Sequence, residues 1–152
     1  MITINCNNVN DTDKLALLIS KFVFSGFLIL ASGDLGAGKT KLAKCIAGYL
    51  GVKDNVTSPT FNILKCYRGD IYEFYHIDAY RLEGIKQDLG LEEYIEGDGV
   101  CYIEWSEYLA HILPEEYLEI TISIIDENRR KIDIKGVGNK YIEIEKEINK
   151  LW

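Results

Sequence analysis

The segment Gly33-Asp34-Leu35-Gly36-Ala37-Gly38-Lys39-Thr40 has the residue types and spacing of a phosphate-binding loop, G-x-x-x-x-G-K-[ST]. Successive backbone N–H groups can close around a phosphate only where no Cβ obstructs unusual dihedral angles, which Gly33, Gly36 and Gly38 permit. Lys39 brings a positive charge to the β- and γ-phosphates, and Thr40 sets a hydroxyl where a magnesium ion would sit. Asp34 reads as a turn former, because a carboxylate pointing into such a nest would repel phosphate. Two glycines, a lysine and a hydroxyl residue at fixed spacing should arise by chance in fewer than about one chain per hundred of this length. The chemistry implied is the binding of a nucleoside triphosphate with magnesium.

Such a loop works with an acidic residue at the end of a neighbouring strand. Asp78 closes the run Tyr72-Glu73-Phe74-Tyr75-His76-Ile77-Asp78, and Glu104 closes Val100-Cys101-Tyr102-Ile103-Glu104. Either carboxylate could serve the metal or cap the element that follows. Period-two alternation puts Phe74, His76 and Asp78 on one strand face, so His76 is expected to position Asp78 or fill the sheet face. Thr57-Ser58-Pro59-Thr60 stands where P-loop proteins keep a γ-phosphate-sensing segment, and it also reads as an ordinary X-Pro turn. His111 is expected at the surface.

The elements that must hold these residues are legible from periodicity. A short strand at 2–4 precedes a helix with its N-cap in Asn10-Asp11-Thr12 and its apolar stripe on Leu15, Leu18, Ile19 and Phe22. The continuous apolar run Phe27-Leu28-Ile29-Leu30-Ala31 predicts a strand covered on both faces, followed by the loop and a helix over 41–50 that stops near Gly51. Strands over 61–67 and 71–77 read as a hairpin around Arg68-Gly69-Asp70, a triplet taken as a turn and not as an adhesion signal. Helical segments at 82–87 and 91–95, a strand at 100–103, a second hairpin around Glu127-Asn128-Arg129 and a closing helix over 141–151 complete the chain. The expectation is one α/β domain over 1–152, P-loop NTPase-like, with a mixed sheet, a parallel centre, antiparallel hairpins and helices on both faces.

At 152 residues and 47% hydrophobic, the chain can bury a core without disulfides or a structural metal. Cys6, Cys45, Cys66 and Cys101 form no C-x-x-C pair and read as reduced, cytoplasmic thiols. The first apolar run is too short to span a membrane. A net charge of −7 argues against direct binding of DNA or RNA, so any nucleic-acid role is expected to run through a partner.

Together, Gly33 to Thr40, Ser58-Pro59-Thr60-Phe61, His76-Ile77-Asp78-Ala79-Tyr80-Arg81-Leu82 and Ile103-Glu104-Trp105 resemble, in order and spacing, the TsaE (YjeE) family. That family supplies the ATPase of bacterial tRNA threonylcarbamoyladenosine synthesis. The resemblance implies ATP/ADP and Mg²⁺ as ligands, TsaD and TsaB as partners, and tRNA contacted only through that complex. It implies that Thr40 and Glu104 bind Mg²⁺, that Lys39 and Glu104 support catalysis, and that Asp78 is needed for turnover, orienting the attacking water. It also implies nucleotide contacts near Thr12, Glu107 and Arg130, besides the loop residues and Lys41. Lys41 replaces the second threonine of the common Gly-Lys-Thr-Thr ending, removing a hydroxyl that could meet the α-phosphate. Two other readings share the loop: a small-molecule kinase, which would carry an arginine-rich lid, and a nucleotide-dependent switch with negligible turnover.

Overall fold

The computed structural model describes residues 1–152. The element order is β1 (Ile2–Cys6), α1 (Val9–Ser20), β2 (Leu28–Gly33), α2 (Lys39–Tyr49), β3 (Leu64–Arg68), β4 (Glu73–Asp78), α3 (Glu92–Ile95), β5 (Val100–Glu104), β6 (Tyr117–Ile124), β7 (Arg130–Val137) and α4 (Asn139–Leu151), with 3-10 helices at Tyr80–Leu82 and Ser106–Ile112. The strands form one seven-stranded sheet in the order β1-β7-β6-β2-β5-β4-β3. β2 is parallel to both β5 and β6, and β4 is parallel to β5. Antiparallel pairs β6–β7, β1–β7 and β3–β4 build the two flanks. The mixed sheet with a parallel centre is therefore present.

The strand sequences explain this layout. β2 and β5 are buried on both faces, which is why they read as unbroken apolar runs. One face of the sheet, with Ile29, Ala31, Phe74, Tyr102, Ile120 and Ile134, packs under α1, α2 and α4 in a 28-residue core. The opposite face carries Leu28, Leu30, Ile77, Cys101 and Ile103 against the two 3-10 helices and α3. Helices cover both faces, but the three long ones lie on one side. Across β6 and β7 that second face is polar: Lys131, Asp133 and Lys135 alternate with Ile132 and Ile134.

Local signals set the element ends. α1 begins two residues before the expected cap: Asn8 accepts from the Asp11 N–H at 3.1 Å, and Asp11 accepts from the Asn7 N–H at 2.8 Å. α2 ends as expected at Gly51, whose φ of 89° allows Val52 N–H to reach Ala47 O at 3.0 Å and Gly51 N–H to reach Gly48 O at 3.1 Å. The turn containing Gly69 and Asp70 packs against that helix end, with Asp70 N–H donating to Leu50 O at 2.9 Å. No helix is long and apolar enough to cross a membrane.

Two expectations shift. β3 starts at Leu64, because Pro59 O accepts from both Asn62 N–H and Ile63 N–H and keeps 59–63 in a turn. The helix expected at 82–87 is only the short 3-10 helix Tyr80–Leu82. Gly84 and Gly90 hold positive φ, and Ile85 and Leu89 are exposed, so the intervening segment buries no helical stripe.

Candidate nucleotide site

The loop leaves the end of β2 and enters α2 at its N-terminus. Gly33 has φ 146°, and a Cβ there would come within 2.4 Å of the Ile122 carbonyl oxygen of β6. Glycine is thus required by close approach as well as by dihedral angle. Gly36 and Gly38 have φ of 81° and 112° with open space around them, so their requirement is conformational. Asp34 turns the loop through its own carbonyl, which accepts from Ala37 N–H at 3.0 Å, and its side chain is exposed.

Lys39 is buried. Its Nζ donates to Gly33 O at 2.5 Å and lies 4.7 Å from the centre of the Trp105 ring. Its backbone carbonyl accepts from the Tyr102 hydroxyl at 2.7 Å. Burial, followed by the nearby Glu104 carboxylate, pushes the Tyr102 phenol well above its usual range and keeps it a donor. On the opposite side, Arg130 donates from Nε to Ala37 O at 2.9 Å and from Nη1 to Asp126 O at 2.7 Å. It thereby ties the β6–β7 turn to the loop.

Asp78 and Glu104 are register partners at the ends of adjacent parallel strands, so both carboxylates emerge beside the loop. Both are buried. Asp78 Oδ2 accepts from Thr60 Oγ1 at 2.8 Å, and Oδ1 accepts from Tyr80 N–H at 2.9 Å. Thr60 in turn shares a hydrogen bond with Ser58 at 2.7 Å. Glu104 Oε2 is 2.6 Å from His76 Nε2 and 3.3 Å from Thr40 Oγ1. His76 therefore holds Glu104, not Asp78: its ring reaches across to the neighbouring strand, whereas Asp78 is already occupied by Thr60 and Tyr80.

These groups line one cleft of about 570 Å³: Asp34, Leu35, Gly36, Gly38, Lys39, Thr40 and Lys41 from the loop, Ser58 and Thr60 from the turn, and Asp78, Tyr80, Glu104 and Trp105 at or just past the carboxyl ends of β4 and β5. The Thr40 hydroxyl and the Glu104 carboxylate are the hard oxygen donors that suit a magnesium ion completed by phosphate oxygens and water. Ala37 is buried beneath the loop. Thr12, on α1, and Arg130, the register partner of Cys6 across β1–β7, lie outside the lining. Glu107 is exposed on the 3-10 helix after β5, also outside the lining. His111 is exposed as expected.

Four aromatic residues, Trp105, Tyr108, Tyr80 and Tyr102, were not foreseen as site residues. Trp105 takes the left-handed conformation at φ 60°, stacks on Tyr108 with centroids 6.1 Å apart, and meets Tyr80 edge-on at 5.1 Å. Tyr102 supports Lys39 from below. Strand alternation could have placed Tyr102 on the His76 face, but the turn of Trp105 toward the loop leaves no mark in periodicity.

Known proteins resemble this chain over most of its length. A family model described as "Threonylcarbamoyl adenosine biosynthesis protein TsaE" matches residues 6–132. The tRNA threonylcarbamoyladenosine biosynthesis protein TsaE of Bacillus subtilis (strain 168) is 42% identical over 134 residues, covering 88% of this chain and 85% of that protein. Its namesakes are 38% identical in Rickettsia felis, over 84% of this chain and 76% of that protein, and 35% in Treponema pallidum, over 84% and 95%. The crystal structure of Bacillus subtilis YdiB superposes with a TM-score of 0.83 at 33% identity, covering 99% of this chain and 95% of that one. With the family model running from the last residue of the first strand, across the phosphate loop and both strand-end carboxylates, to the start of β7, the chain belongs to the TsaE family.

Proposed function

We propose that this protein binds ATP with Mg²⁺ on the 33–40 loop and hydrolyses it in the service of tRNA threonylcarbamoyladenosine formation, acting with TsaB and TsaD. The observation that carries the reading is the convergence, in one cleft, of Lys39 and Thr40 from the loop, Thr60 from the following turn, and Asp78 and Glu104 from two adjacent strands. The loop amides and the α2 N-terminus bind the phosphates, and Lys39 turns its Nζ from Gly33 O toward them. Thr40 and Glu104 would hold Mg²⁺, which when bound offsets phosphate charge. Asp78 is fixed on both oxygens by Thr60 and Tyr80 and retains lone pairs to accept from a water molecule, orienting it for attack on the γ-phosphate. Thr60 and Ser58 are the hydroxyl groups that meet the γ-phosphate side of the cleft.

Two features support water as the acceptor and partners as the holders of tRNA. Arg129 is paired with Asp126 within its own turn, and Arg130 is committed to Ala37 and that turn, so neither forms a lid over the cleft. The net charge of −7 fits a chain that leaves tRNA to its partners. Phosphate release measured with and without TsaB–TsaD tests the proposal. Inorganic phosphate should appear, and faster with the pair present. Phosphate transferred to a small metabolite would identify a kinase, and no release even with the pair would identify a switch.

A further inference from the structure

His76 is fully buried in β4, and only one of its ring nitrogens is used. Nε2 lies 2.6 Å from Glu104 Oε2, whereas Nδ1 is buried with no hydrogen-bond partner. A half-satisfied imidazole costs stability in an interior. The surroundings would accept an apolar ring: Tyr102 meets His76 edge-on at 5.4 Å, and the Phe74 ring is 6.3 Å away. Packing therefore gives no reason for a histidine here, and the contact with Glu104 does. A carboxylate oxygen accepts, so Nε2–H is the donor in this contact.

The position is set by the sheet. His76 pairs with Tyr102, and Glu104 follows two residues along β5 on the same face, so the imidazole reaches its carboxylate diagonally across the strands. Oε2 receives both His76 and Thr40, and no hydrogen bond engages Oε1. We propose that His76 is a positioning residue for the metal-holding carboxylate: its Nε2–H fixes the Glu104 rotamer and aims the carboxylate at the Thr40 hydroxyl. This rests on the assignment of Mg²⁺ to Thr40 and Glu104. Partners of metal-ligating carboxylates change metal affinity by about 10–100-fold when removed.

The test titrates Mg²⁺ into the full chain with a non-hydrolysable ATP analogue by calorimetry, alongside metal-free ADP affinity and thermal melting. His76→Phe keeps the ring without the donor, His76→Asn keeps polarity without the reach, and His76→Gln places an amide N–H near the position of Nε2. The Phe and Asn variants should need about 10–100-fold more Mg²⁺ for half-saturation, with ADP affinity unchanged, while Gln stays near wild type. Wild-type Mg²⁺ dependence in Phe and Asn, with dependence lost in Glu104→Ala, would overturn the His76 role and leave the metal assignment standing. Wild-type dependence in Glu104→Ala would overturn both. An equal loss of metal-free ADP affinity in Phe and Asn would make His76 merely structural. Should His76→Phe not fold, Asn against Gln decides, and an equal Mg²⁺ requirement in those two overturns the proposal.

Discussion

Ile63 and Trp105 are the two non-glycine residues with positive φ, at 66° and 60°, and each adjoins one of the two carboxylates of the cleft. Ile63 directs its carbonyl to the Asp78 N–H at 2.8 Å, and Trp105 follows Glu104 directly and turns its ring toward Lys39. Such backbone conformations cost about 1–3 kcal/mol each and persist where surrounding structure determines them. At this scale the loop motif was fully legible, because its residue types are dictated by phosphate chemistry. The strain was not legible, since neither isoleucine nor tryptophan advertises a left-handed backbone. Gly33 gives the sharpest residue-level prediction. Gly33→Ala should destabilise the fold by about 1–3 kcal/mol, because its Cβ would press on the Ile122 carbonyl and the residue would sit at a disfavoured φ. Denaturant unfolding reads the stability, and nucleotide titration should show weaker binding; a variant with wild-type values in both would refute the close-approach argument.

The elements were legible in proportion to how much apolar surface each one buries. The runs of β2 and β5 and the alternation of β6 and β7 announce a doubly covered centre and a half-solvated flank. The 83–90 segment does not announce itself, because its glycines and exposed Ile85 and Leu89 satisfy no single period. Nor does periodicity state that β6 lies between β2 and β7, which places the second hairpin beside the loop and lets Arg130 reach Ala37. Two substitutions test the helix accounts. Asn8→Ala should cost about 1 kcal/mol by removing the cap on Asp11 N–H. Gly48→Ala, at an exposed position in α2 with open space for a Cβ, should stabilise by about 0.5–1 kcal/mol. Chemical denaturation of the pair checks both signs, and destabilisation by Gly48→Ala would show that α2 tolerates less than its open surroundings imply.

Across the whole molecule, the sheet does two jobs in different halves. Its parallel centre brings the loop, Asp78 and Glu104 to a common end, as open α/β sheets do at the carboxyl ends of their strands. Its β6–β7–β1 flank supplies core through Ile120, Ile132 and Ile134 and supports the loop from the side. In the proposed reading, binding and turnover are separable because their residues enter from different segments: Lys39 from the loop, Asp78 from β4. Comparison of Lys39→Ala and Asp78→Ala, in ATP affinity and in phosphate release with TsaB–TsaD present, addresses this division most directly. Lys39→Ala should weaken ATP binding by on the order of tenfold or more, whereas Asp78→Ala should retain near-wild-type affinity and lose most turnover. Equal loss of affinity in the two variants, or undiminished turnover in Asp78→Ala, would contradict the account.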